Sequence, residues 1–210
     1  MSIIQYGNIP SDVLAKQMAY SIYLPDKYDG ELKFPVLYFL HGRSGDERIM
    51  DELEIKSIAD MLIDSGQIRP MIIVCPKMDN TRGLNTSEVS PQSVSNGMKI
   101  DSGRYEDYFI QEFLPYIDCH FKTIPHRGNR FVGGASAGGF AATHYGLQYP
   151  ELFSRIGGHM PAIETELDPS DIPYYGDEHS FHKNNPLEFD QFEELHQMQE
   201  WFLDAGDEDE

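Results

Sequence analysis

Arg130-Phe131-Val132-Gly133-Gly134-Ala135-Ser136-Ala137-Gly138-Gly139-Phe140 is the stretch from which the rest of the chain is read. Phe131 and Val132 make an apolar strand that runs into glycines. The chain then turns on one serine and continues as a helix, Phe140 to Tyr149, closed by Pro150. Gly134-Ala135-Ser136-Ala137-Gly138 fits G-x-S-x-G, in which the serine occupies a strained strand-to-helix turn and its Oγ projects from the sheet. The glycines two positions either side remove side chains that would collide with the neighbouring strand and helix. A helix that begins at the serine turns its positive end toward negative charge developing there. Five such common residues mean little alone; the strand before them and the helix after them give the motif its weight.

Working outward, the elements alternate. Lys16 to Leu24 alternates apolar and polar side chains and is expected to be a half-exposed strand. Phe34 to Leu40 and Met71 to Cys75 are continuous apolar runs, expected as buried central strands. Between them, Asp46 to Ser65 carries Ile49, Leu53, Ile58, Met61 and Leu62 at helical spacing and stops at Gly66. Lys77 to Ser102 is a long polar loop, and Gly103 to Phe121 a helix. Beyond the serine come a strand over Phe153 to His159 and an irregular Pro/Asp/His-rich excursion over Pro161 to Asp190. A short helix over Gln191 to Gln199 and a last strand over Trp201 to Ala205 follow. Such alternation predicts an α/β domain, a mostly parallel central sheet with helices on both faces. In such sheets sites form at the C-terminal ends of the strands.

The 210 residues suit one domain, 1–210. A net charge of −19 argues against binding nucleic acid or an anionic membrane surface. Two cysteines, Cys75 and Cys119, are expected to be free thiols. No Cys/His spacing suggests a metal, and no cofactor is expected. The N-terminus lacks a basic, then apolar leader pattern. A chain starting natively at Met1 is therefore expected to be cytoplasmic; one from which a signal peptide was removed would be secreted.

A serine that attacks an acyl carbon needs a base, an acid to orient the base, and donors for the oxyanion. The N–H of Ala137 is one donor. The His41-Gly42-Arg43-Ser44 turn after the second strand supplies the other, Arg43 ahead of Ser44, since Gly42 lets the backbone turn its amides inward. His41 is expected to hold that loop by hydrogen bonds, not to act as base. Asp209, then Asp207, is the candidate acid in the turn after the last strand, while Asp204 lies inside that strand. The base is the difficulty, because no histidine follows Asp209. His159 ends a strand at the correct edge of the sheet and is a pocket candidate. His179 and His182 sit in the excursion, His144 is expected on the surface of the elbow helix, and His120, His126 and His196 on the surface.

Ser21-Ile22-Tyr23-Leu24-Pro25, Phe34 to Gly42, Tyr105-Glu106-Asp107-Tyr108-Phe109 with Glu112 to Ile117, and Gly134 to Gly139 with Tyr149-Pro150-Glu151-Leu152-Phe153 together resemble a known family. It is the Putative esterase family of α/β-hydrolases, which includes esterase D (S-formylglutathione hydrolase), feruloyl esterases and the antigen 85 proteins. The resemblance covers roughly residues 16 to 160. It implies an α/β-hydrolase fold and a serine esterase acting on small-molecule or saccharide esters, such as acylated carbohydrates or aryl and feruloyl esters. It also implies that Gly206-Asp207-Glu208-Asp209 is the acid-bearing turn. A last strand, a closing helix and the catalytic histidine are expected beyond Glu210, so the domain reads as C-terminally incomplete. Tyr105, Tyr174 and Tyr175 are candidates to stack on a substrate ring. Two further readings fit the same residues. One is a thioesterase on a glutathione conjugate, with Arg82 and Arg104 offsetting substrate charge. The other is a non-catalytic, hydrolase-like binding module, prompted by the missing histidine.

Overall fold

The computed structural model describes residues 1–86, 94–95, 98–169, 171–189 and 198–206. Its strands are β1 (Ile3–Ser11), β2 (Lys16–Leu24), β3 (Val36–Leu40), β4 (Ile72–Pro76), β5 (Val94–Ser95), β6 (Met98–Lys99), β7 (Arg130–Ala135), β8 (Arg155–His159) and β9 (Glu200–Asp204). Its helices are α1 (Ile49–Glu52), α2 (Ile55–Asp64), α3 (Tyr105–Asp107), α4 (Leu114–His120), α5 (Ala137–Gln148), α6 (Ile172–Tyr175) and α7 (Glu178–Asn184). A wider, π-type stretch over Tyr108–Phe113 joins α3 to α4 without a break.

Seven strands form one sheet in the order β1-β2-β4-β3-β7-β8-β9. The first two pairings are antiparallel, and β4, β3, β7, β8 and β9 run parallel. Fully apolar segments fall in the middle, where both faces are covered: Val36, Tyr38 and Leu40 are buried, and every residue of β4 is. On one face α4, α5 and the π stretch bury an aromatic core, with Tyr38 edge-on to Phe109 and Phe109 stacked on Tyr145 at 4.9 Å. On the other face α1 and α2 cover Tyr23, Ile73 and Cys75. Burial pushes the Cys75 thiol up to about 12, so it is an inert core group. Cys119 is exposed, and both cysteines are free.

The structure departs from the sequence expectations in several places. β1 was not anticipated; it is mostly exposed and interrupted by Gly7 and Pro10, so it lacks a clean alternation. The helix expected over residues 46–65 breaks in two at Glu54, which adopts a left-handed φ of 50°. The excursion over 161–190 contains α6 and α7, whose side chains Tyr174, Tyr175 and Phe181 bury against Phe140 of α5. The short helix expected over 191–199 lies mostly outside the described residues.

Leu53, Ile58 and Met61 of the expected apolar stripe remain exposed. With Leu37, Phe39, Ile68, Met71, Phe131 and Phe202, Leu53 and Ile58 line two adjoining apolar grooves of about 370 and 390 Å³. Among the described residues β9 is the outer edge of the sheet, and Phe202 beside the groove is 59% exposed. Among those residues no helix is long and apolar enough to cross a membrane.

Candidate active site

Ser136 stands between β7 and α5 with φ 53° and ψ −116°. A non-glycine residue there costs on the order of 1–3 kcal/mol, which surrounding contacts must hold. Three main-chain bonds do so. Ser136 N–H donates to the His159 carbonyl at 2.9 Å, and the Ser136 carbonyl accepts from Phe140 N–H at 2.9 Å and Ala162 N–H at 3.0 Å. Glycine at 136 would adopt this φ without a Cβ penalty. Ser136→Gly is therefore expected to melt above Ser136→Ala when the two variants are compared by calorimetry.

Sequence spacing placed Gly134 and Gly138 correctly as points of close approach. A Cβ on Gly134 would lie 2.5 Å from the Gly138 carbonyl, and one on Gly138 would lie 2.2 Å from the Leu40 oxygen. The end of β3 thus presses directly on the first turn of α5. Its continuation passes beside the serine: a Cβ on Gly42 would sit 3.3 Å from the Ala135 oxygen and 3.4 Å from Ser136 Cβ. Ser44 in the same turn has φ 63°, and Gly45 N–H closes the turn onto the Gly42 carbonyl at 3.1 Å. Arg43 between them leans over the Tyr174 ring at 5.1 Å.

His41 is 3% exposed. Its Nε2 accepts from Met78 N–H at 2.9 Å, and its Nδ1 lies 2.8 Å from the Gly42 carbonyl. A carbonyl can only accept, so the proton is on Nδ1 and the ring is neutral. Burial is the main cause holding its pKa below the usual 6.5. The unfolded chain then binds the extra proton first as pH falls below 6.5. Stability should drop between pH 7 and pH 5, and less so in His41→Ala. That variant should also lose about 1–3 kcal/mol at pH 7, because Met78 N–H is left without its acceptor. Chemical denaturation at the two pH values checks both.

Among the described histidines, His144, His159 and His182 make their ring contacts with other groups. His144 is fully buried under α7, its Nδ1 3.2 Å from the Asn184 carbonyl, which corrects the expectation of a surface residue. Its position on α5 faces the docked excursion, which sequence alone did not show. His159 Nδ1 is 2.9 Å from Asp204 Oδ2, its ring lines the apolar grooves, and its carbonyl accepts from Ser136 N–H. His182 pairs with Glu188 at 2.6 Å. Asp207, Asp209 and His196 lie outside the described residues.

A cavity of about 490 Å³ opens beside Ser136, lined also by Met160, Pro161, Ala162, Ile163, Glu164 and Ala205. It sits at the C-terminal ends of β7, β8 and β9, where a parallel sheet places its sites. The arginine proposed to offset an anionic substrate does not face it. Arg82 is 1% exposed and is spent on Glu164, on Asp171 and on the Ala162 carbonyl. Arg104 pairs with Asp107. Tyr105, Tyr174 and Tyr175 are buried and offer no free ring face.

Sheet order and elbow together place the molecule among the α/β-hydrolases. The chain belongs to the esterase family: the family model described as Putative esterase matches residues 11–210. It is 31% identical over 188 residues to an endo-1,4-beta-xylanase/feruloyl esterase of Xylanibacter ruminicola, covering 81% of this chain and 24% of that protein. The chain spans 24% and 30% of the length of two curated relatives it matches. Among solved structures, a ferulic acid esterase superposes with TM-score 0.70 at 24% identity, over 98% of this chain and 90% of that one. An S-formylglutathione hydrolase from Agrobacterium tumefaciens gives TM-score 0.70 at 18% identity, over 97% and 85%. At these identities the structural likeness speaks for the fold.

Proposed function

We propose that this chain is a serine esterase unit that cleaves carboxylic esters, with aryl acids of the ferulic type on a carbohydrate as the substrate class. The observation that carries the reading is Ser136 held at φ 53° at the mouth of a cavity, with Gly42 against its Cβ. Family membership and the feruloyl esterase among the relatives support it. In this reading Ser136 Oγ attacks the ester carbonyl carbon and gives its proton to a histidine base. The carbonyl oxygen takes the negative charge and accepts from the N–H groups of Ala137 and Arg43. The C–O bond to the alcohol then breaks, the base protonates the leaving alcohol, and water repeats the sequence to release the acid. Each such donor is worth about 3 kcal/mol of transition-state stabilisation. Asp209 orients the base. None of the described histidines is assigned that role.

The test is a fluorophosphonate probe applied to residues 1–210 and to the complete reading frame, with the labelled peptide identified by mass spectrometry. Labelling at Ser136 supports the reading. Labelling confined to the longer form would place the base outside residues 1–210. Absence of labelling in a folded complete protein overturns the esterase reading and favours a binding module.

A further inference from the structure

Between the elbow and the loop after β3 lies a buried ionic unit that the reaction scheme above does not use. Its centre is Asp171, 8% exposed, just ahead of α6. Asp171 Oδ2 accepts from Arg82 Nη2 at 3.1 Å, and Oδ1 lies 3.6 Å from Arg43 Nη2. Arg82 Nη1 donates to the Ala162 carbonyl at 2.6 Å, and Ala162 N–H donates to the Ser136 carbonyl at 3.0 Å. The Tyr174 ring lies 5.1 Å from the Arg43 guanidinium and 5.4 Å from that of Arg82. One carboxylate is therefore tied on one side to the main chain of the nucleophile and on the other to the residue beside it in the β3 loop.

We propose that Asp171 is a positioning residue, which through Arg82 and Arg43 sets the spacing between Ser136 and the Arg43 N–H that faces the oxyanion. The role rests on the esterase reading. The Asp171 carboxylate faces the two arginines, so it acts through them and not on substrate. Burying a guanidinium is costly unless several acceptors surround it, and Arg82 has Glu164, Asp171 and a carbonyl. The two tethers differ in kind. Arg82 is fully buried and fixes the floor of the elbow, whereas the Arg43 side chain is 24% exposed and can be removed without opening the core. Removing it leaves the Arg43 N–H in the chain, but no longer held. A shift of about 1 Å in a catalytic donor can cost on the order of 100-fold in rate.

Asp171→Asn, Arg43→Met and the double variant of the complete protein are compared with wild type on p-nitrophenyl acetate. Each single variant is expected to lose 10- to 100-fold in kcat with KM within 3-fold. Fluorophosphonate labelling of Ser136 should slow in step. The double variant is expected to be no more than 3-fold worse than the poorer single one, because both cut the same tether. Wild-type kcat in either single variant, or losses that multiply in the double variant, overturns the role. If Asp171→Asn does not fold, Arg43→Met decides alone on the same kcat criterion. A wild type inert to both ester and probe overturns the esterase reading, and this role with it; an active wild type with indifferent variants overturns the role only.

Discussion

Ser136→Ala is expected to lower kcat/KM for an aryl ester such as ethyl ferulate by at least about 10,000-fold, with little change in melting temperature. In the esterase reading the rate falls because the acyl intermediate forms on Ser136 Oγ. Serine and alanine differ by one oxygen, and Ser136 Oγ makes no capping bond to α5. The main-chain bonds that hold the turn, to His159, Phe140 and Ala162, are available to alanine as well. Any residual rate would come from oxyanion donors and binding acting on water, the part of the machinery that survives loss of a nucleophile. Steady-state kinetics on the complete protein measures the loss. Activity within 10-fold of wild type would remove Ser136 from the chemistry.

Gly138→Ala is expected to have a large effect on stability, since among the described glycines its added Cβ meets the closest backbone contact. The added Cβ would meet the Leu40 oxygen at 2.2 Å and the His41 oxygen at 2.5 Å. Those are backbone atoms, so no side-chain rotation relieves the contact. Either β3 moves away from α5 or the first turn of the helix unwinds, and each displaces Gly42 from Ser136. Overpacking of cores commonly costs about 1–3 kcal/mol and more where nothing can yield. We expect the upper end, at least about 3 kcal/mol, and loss of activity out of proportion to the unfolded fraction. Gly128→Ala is the matched control, with a nearest contact of 3.4 Å and no left-handed φ. Equal melting temperatures for the two variants would show that the elbow has slack that this geometry denies.

The central strands, the elbow and the β3 loop were legible in the sequence because each is announced by local chemistry. β2 was found to its end residues, since the pattern of Lys16 to Leu24 stops at Pro25, but it is not the half-exposed strand its alternation suggested, because Tyr20 to Leu24 are all buried. β4 and β7 were marked by apolar runs ending at proline or glycine. The hydrogen bonds expected of His41 are present, its Nε2 accepting from Met78 N–H and its Nδ1 facing the Gly42 carbonyl. What sequence could not supply was pairing at long range. Nothing near Arg82 says that Asp171, 89 positions later, will neutralise it. The same holds for His144, whose burial depends on Asn184 arriving from α7. Apolar spacing over Leu53, Ile58 and Met61 signalled a buried helix face, yet periodicity records only which side is apolar, not whether anything covers it.

The edge formed by β9 sets how the 1–210 polypeptide behaves in solution. Among the described residues β9 is the outer strand of the sheet, with Phe202 exposed beside it, and an edge strand is a template for pairing with another chain. Opposing this is a net charge of −19, which makes two copies repel. That repulsion reaches about 30 Å at 0.01 M salt and about 8 Å at 0.15 M. Raising ionic strength shortens the repulsion that keeps edge strands apart, so colloidal stability is expected to be greater in dilute buffer.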